Sequence, residues 1–201
     1  ALLQAAGADL LWLPTPAVMY PPDFQTWVDV EKLTQPLEGT KRPGHFRGVT
    51  TVVAKLFNAV QPQKAFFGQK DAQQAAVIRQ MVRDLNMPVE IVIMPIVRER
   101  DGLAMSSRNT YLNPEERQAA LVLSKSLDAA QSAYISGERN AETLRELMRE
   151  IINAEPLARL EYVSCADYDS LAELEEISGK ALLSMAVYIG STRLIDNHVL
   201  A

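Results

Sequence analysis

The sequence predicts an α/β fold: a parallel sheet, incomplete at its N-terminal end, followed by a small α+β domain with an antiparallel sheet. Three features of the 201 residues predict it. Apolar runs at 64–67 and 88–97 flank a segment of helical period, which makes a β-α-β unit with parallel strands. The chain opens on what reads as the tail of a helix, with no beginning. From about residue 98 two amphipathic helices precede three strand-like runs in succession, the pattern of an α+β domain.

Taken in order, residues 1–7 read as the last turns of a helix stopped by Gly7, and 9–13 as a short strand ended by Pro14. A helix tail in this position suggests that the natural protein has sequence upstream of Ala1. Val49, Val52, Val53, Leu56, Phe57 and Val60 then fall at i, i+3, i+4, i+7, i+8 and i+11, one face of a helix that should pack on a sheet. After the strand at 64–67, a helix over 71–85 has Asp71 as N-cap, Gln74 at N3 and a stripe of Val77, Ile78, Met81, Val82 and Leu85. The run 88–97 is rich in β-branched residues, and Pro95 should end its regular pairing at about Met94. Asn113-Pro114-Glu115-Glu116 opens a helix, with Asn as cap and Pro at N1, that runs to about Ser136 before Gly137. Leu144, Leu147, Met148, Ile151 and Ile152 mark the next helix, and strands follow at 159–165, 181–189 and 193–199.

Composition narrows the function. A hydrophobic content of 48% suits one good core, or two small domains sharing an interface. The longest apolar runs are far short of a membrane span, and no export signal is visible. Cys165 is the only cysteine, and His45 and His198 are the only histidines, which excludes a disulfide framework and argues against a Cys/His zinc site. A reducing cytoplasm is the plain inference, and no protein-built metal site is expected. The net charge of −5 comes with no basic block, so nucleic acid is not the expected partner.

In open parallel sheets ligands bind beyond the carboxyl ends of strands, and two polar segments fall there. Lys70 stands directly before an N-capping Asp, beside a helix N-terminus whose free N–H groups and dipole already favour an anion. Its spacing is not that of a P-loop, and the plainer reading is an exposed loop lysine. Met105-Ser106-Ser107-Arg108-Asn109 places two hydroxyls, a guanidinium and a carboxamide in a row that can grip phosphate; the plainer reading is a polar turn between two domains. Gln74 either caps its own helix or points into a pocket. Arg42 and His45 lie in a Pro/Gly-rich loop, which either covers a site or is a simple turn, and His198 and Cys165 read as structural.

Together, Arg42-Pro43-Gly44-His45-Phe46-Arg47-Gly48-Val49, the segment Phe66 to Gln74 and the segment Asp101 to Leu112 closely resemble the pantothenate synthetase family, and the resemblance runs from residue 1 to 201. It implies a cytoplasmic, homodimeric member of the nucleotidylyltransferase superfamily. The implied fold is the rest of a Rossmann-like domain over 1–96 and a small α+β domain over 97–201 that closes over ATP. The implied reaction is ATP-dependent ligation of pantoate and β-alanine through a pantoyl adenylate, releasing AMP and pyrophosphate. By position, the resemblance puts Gly68, Gln69, Lys70 and Asp71 on ATP, with Lys70 on a phosphate. Val97 and Met105 would hold the adenine edge through backbone groups, Ser106, Ser107 and Arg108 would bind phosphates, and Gln74 would bond pantoate. Lys70, Ser106, Ser107 and Arg108 are the expected catalytic set, and Mg²⁺ would accompany ATP, ligated mainly by phosphates and water.

This chain departs from the family pattern at Gln69, often a glutamate there, and at Ala72, often an aromatic. More important, the family's H-x-G-H motif and the pantoate-binding glutamine after it have no counterpart in these residues. The chain is therefore expected to hold half a site and not to turn over alone. A related nucleotidylyltransferase that stops at the nucleotidylated product, and a non-catalytic homologue, are the alternatives.

Overall fold

Two separate hydrogen-bonded ladders organise the chain, one parallel and one antiparallel. They are seen in a computed structural model, which describes residues 2–201. Helix α1 (Leu2–Ala5) ends before Gly7, whose φ of +79° suits glycine. Residues 9–13 do not form the expected strand: no strand pairs with them, and Leu10, Leu11 and Leu13 are exposed. An apolar run becomes a strand only when a neighbour satisfies its backbone groups, and none among the described residues does. Helix α2 (Pro16–Met19) starts where its sequence indicates, with the Thr15 hydroxyl accepting the Val18 N–H and Pro16 in the first turn.

Helix α3 (Glu38–Lys41) leads into α4 (His45–Val60). The buried face of α4 is rotated from the expected one: Phe46, Thr50, Thr51, Val53 and Ala54 are buried, and Val60 is exposed. The two threonines explain the rotation. Thr50 Oγ1 donates to the Val28 carbonyl at 2.6 Å and Thr51 Oγ1 accepts the Val28 N–H at 3.0 Å. The helix thus offers an extended segment the hydrogen bonds a neighbouring strand would have supplied.

Strand β1 (Lys64–Gly68), helix α5 (Ala72–Asp84) and strand β2 (Glu90–Met94) form the β-α-β unit, with a parallel register running from Lys64 opposite Glu90 to Gly68 opposite Met94. Val77, Ile78 and Met81 are fully buried on α5, each contributing about 1.5–3 kcal/mol by burial. Leu85 lies at the C-terminal boundary of the helix and is exposed. Asp71 occupies the N-cap position, yet its side chain makes no capping bond, and Gln69–Asp71 form a 3-10 turn instead.

Helix α6 (Pro114–Ala119) opens with a reciprocal capping box between Asn113 and Glu116. The chain then bends at Ala120–Leu121, so the single expected helix is two, α6 and α7 (Val122–Ile135). Helix α8 (Ala141–Asn153) and strands β3 (Ala158–Asp167), β4 (Ala181–Ile189) and β5 (Thr192–Leu200) follow, the strands antiparallel in the order β3-β4-β5. Strand alternation divides the interior in two. Leu183, Met185, Val187 and Ile189 pack with α7 and α8, whereas Leu182 joins a second core with Val53, Val77, Ile78 and Met81 of α4 and α5. One face of the three-stranded sheet is therefore turned towards the β-α-β unit, and the cleft forms between them.

Candidate active site

The cleft has a volume of about 240 Å³ and is lined from both sides by residues that the sequence singles out. Lys70, Asp71 and Gln74 come from the end of β1 and the start of α5, Ser106, Ser107 and Arg108 from the loop after β2, Arg42 from the loop before α4 and His45 from the first turn of α4. The two cationic loop tips thus face one space. Tyr162, Ser184 and Ile195 of the antiparallel sheet supply the opposite wall.

Each loop is built by identifiable bonds. Arg98 and Ala104 form an isolated antiparallel bridge, which turns the chain back to deliver Met105–Arg108. The Ser106 hydroxyl accepts the Arg108 N–H at 3.2 Å and caps the 3-10 turn Ser107–Tyr111. Asn109 donates to Glu99 at 2.8 Å and to the Ala104 carbonyl at 3.1 Å, and Arg117 holds the same Glu99 at 2.8 Å. On the other side, the Asn197 amide donates to the carbonyls of Gln69 and Lys70 at 3.0 and 2.9 Å.

The segment above the cleft is held by residues that sequence reasoning missed. Gln73, 5% exposed, donates to the carbonyls of Leu33 and Pro36 and accepts the Glu38 N–H at 3.0 Å. The Glu38 carboxylate meets Arg193 in a fork, at 2.7 and 2.8 Å, and accepts the Tyr162 hydroxyl at 2.9 Å. Burial alone would raise the Glu38 carboxyl, but Arg193 outweighs it and holds the group below its ordinary value. Burial, reinforced by Glu38, pushes the Tyr162 phenol up, so it stays a donor. The only signal in the sequence was Gln73 beside Gln74 on a core-facing helix; partners on β3 and β5 leave no local pattern.

Charge bookkeeping leaves unpaired cations in the cleft. Glu38 is paired with Arg193, and Asp196 with Arg98. Among the described residues, Lys70, Arg108 and Arg42 have no carboxylate within ion-pair distance, and Asp71 has no cation within it. Lys70 is half-buried, and the Arg108 guanidinium is exposed with one bond, to the Arg193 carbonyl at 3.3 Å. Arg42 Nη1 lies 3.2 Å from His45 Nε2. Burial, and then the Arg42 charge, lower the His45 imidazole below its usual range, so it accepts from the guanidinium as a neutral ring.

Other expected site residues lie elsewhere. Gly68, Gln69, Val97 and Met105 do not line the cleft. Gln69 donates its side-chain amide to Asn197 at 3.0 Å, and the Met105 N–H donates to the Val97 carbonyl at 2.9 Å, with both of those side chains exposed. Gln74 lines the cleft and makes no side-chain bond to the protein, which separates it from the helix-capping alternative. Cys165 is buried, with burial pushing its thiol up to about 11.

A family model described as pantoate-beta-alanine ligase matches residues 1–199. The chain is 62% identical to a pantothenate synthetase of Roseiflexus over 200 residues, covering 100% of this chain and 72% of that relative, and 62% identical to one of Herpetosiphon aurantiacus, covering 100% and 73%. Among solved structures, a pantothenate synthetase from Thermus thermophilus superposes with a TM-score of 0.93 at 47% identity, over 98% of this chain and 71% of that one. A pantoate-beta-alanine ligase from Francisella tularensis, solved with beta-gamma ATP and beta-alanine, gives a TM-score of 0.72 at 28% identity, over 98% and 67%. With residues 1–199 inside the family model and the whole chain matched to 72% of the length of a named member at 62% identity, this chain belongs to the pantoate-beta-alanine ligase family.

Proposed function

We propose that the cleft binds ATP and pantoate for ligation of pantoate to β-alanine through a pantoyl adenylate. The observation that supports it is the convergence of Lys70 and the Ser106–Arg108 tip on one cavity that holds no uncompensated cation partner except Asp71. In the first step a pantoate carboxylate oxygen forms a bond to the α-phosphorus as the bond to pyrophosphate breaks. Negative charge accumulates on the phosphoryl and leaving oxygens, where an ammonium, a guanidinium and two hydroxyls stabilise it. In the second step the β-alanine amine attacks the acyl carbon, AMP leaves, and the amine proton is released.

Gln74, half-buried and free of internal bonds, is suited to orient pantoate, since an amide donates and accepts in one plane. Mg²⁺ fits as the ion carried by the triphosphate. The described residues hold no cluster of three potential ligands, and Asp71 is the one cleft carboxylate free to meet the ion or its waters. When bound, the ion neutralises phosphate charge. We further propose that the 201 residues bind ATP without turning it over, because the H-x-G-H motif whose histidines stabilise the transition state in the family has no counterpart among them.

Calorimetric titration with Mg-ATP tests the binding half; saturable binding that depends on Lys70 is expected, and no binding overturns it. AMP formation from ATP, pantoate and β-alanine tests the other half. No AMP is expected from this chain alone, and steady AMP production would refute the half-site account.

A further inference from the structure

We propose that Asn197 and Asp196, neighbours on β5, are positioning residues that set the spacing between the Lys70 loop and the Ser106–Arg108 loop. The proposal rests on the nucleotide reading of the cleft. Local sequence determines the Lys70 loop poorly: the turn Gln69–Asp71 has no side-chain cap, and Asp71 offers none to α5. What fixes it arrives from 127 residues away. Asn197, 3% exposed, uses both amide protons on the carbonyls of Gln69 and Lys70, at 3.0 and 2.9 Å, and accepts from Gln69 Nε2 at 3.0 Å. A carboxamide is the uncharged side chain able to donate twice and accept in one plane. An aspartate there would set lone pairs against two carbonyls.

Strand alternation sends the neighbouring side chain to the other face. There Asp196, 1% exposed, takes both arms of Arg98, at 2.7 and 3.0 Å, while Arg98 also donates to the Gly102 carbonyl at 3.0 Å. That grip closes the turn from which Met105–Arg108 emerges. Asp196 Oδ1 further accepts the Asn197 backbone N–H at 2.8 Å, so the carboxylate that holds Arg98 also bonds the main chain of the residue that holds the Lys70 loop. One dipeptide in a strand paired to β4 along its length thereby ties down both halves of a phosphate grip. Displacing either half by an ångström is enough to lose alignment with a bound triphosphate.

The test is a double-mutant cycle on Mg-ATP affinity, read by calorimetry, with thermal melts confirming that each variant is folded. Asn197→Ala should weaken binding by about 10-fold, a change of about 1.4 kcal/mol. In a Lys70→Ala background the same substitution should change affinity by less than about twofold, because no ammonium remains to be misplaced. A residue that merely stabilises the fold would cost the same in both backgrounds. Asn197→Asp, equal in shape but without the two donated bonds, is the second variant and should weaken ATP as Asn197→Ala does. Parent-like ATP affinity in both position-197 variants, or an equal loss with and without Lys70, overturns the proposal. Failure of the parent chain to bind ATP removes instead the nucleotide reading beneath it.

Discussion

Replacing Arg193 by methionine should destabilise the fold and reverse part of its pH response. Arg193 is 15% exposed and stands between Glu38 and Glu161, 13% and 15% exposed, bonding the first at 2.7 Å and the second at 2.5 Å. Removing one member of a buried ion pair costs about 3–5 kcal/mol, because the charge left behind is neither solvated nor paired. The residual exposure of both carboxylates places Arg193→Met at the lower end, about 3 kcal/mol at neutral pH. The pH dependence sharpens the test. In the parent, Glu38 titrates below its ordinary value of 4.5, so its contribution is complete above that value and is lost only as pH falls through the depressed one. In the variant, Arg193 no longer outweighs burial at Glu38, whose carboxyl should rise, so the folded chain takes up a proton more readily than the unfolded one and stability recovers on acidification. Urea unfolding at pH 7 and pH 5 reads both effects. A loss below about 1 kcal/mol at pH 7, or a loss identical at the two pH values, would refute the reasoning.

Two further outcomes follow from particular contacts. A Cβ at Gly39 would lie 1.8 Å from the Thr34 carbonyl oxygen, so Gly39→Ala must move backbone in the segment above the cleft and should cost about 1–3 kcal/mol in urea unfolding; an unchanged midpoint contradicts this. His198 is held below 6.5 by burial and then by Arg98, so between that value and the depressed one the unfolded chain binds the proton more readily and stability falls with acidification. His198→Asn should make melting temperature less dependent on pH between about 7 and 5.5, and an unaltered slope counts against the assignment.

Much of the fold was legible because local signals and tertiary partners agreed. The parallel β-α-β unit, the Asn113 N-cap with Pro114 after it and the three C-terminal strands all follow from periodicity and cap chemistry. Residues 9–13 misled because composition alone cannot show whether a strand has a neighbour. The rotation of α4 was hidden for a related reason: two threonines act as surrogate strand partners for Val28, which no hydrophobic pattern encodes. At the cleft, the residue types most directly suited to phosphate were visible as short motifs. Their supports were not. Gln73, Glu38, Tyr162, Arg193, Asp196 and Asn197 act through contacts across the chain, and a strand residue with a polar side chain looks the same whether it faces water or holds a loop.

The most direct measurement is a crystal structure of this chain with a non-hydrolysable ATP analogue. The account predicts phosphate oxygens of one molecule within hydrogen-bond distance of both the Lys70 ammonium and the Ser106–Arg108 tip, with Gln74 facing the remaining space. An analogue bound outside the cleft, or touching only one of the two tips, would contradict it.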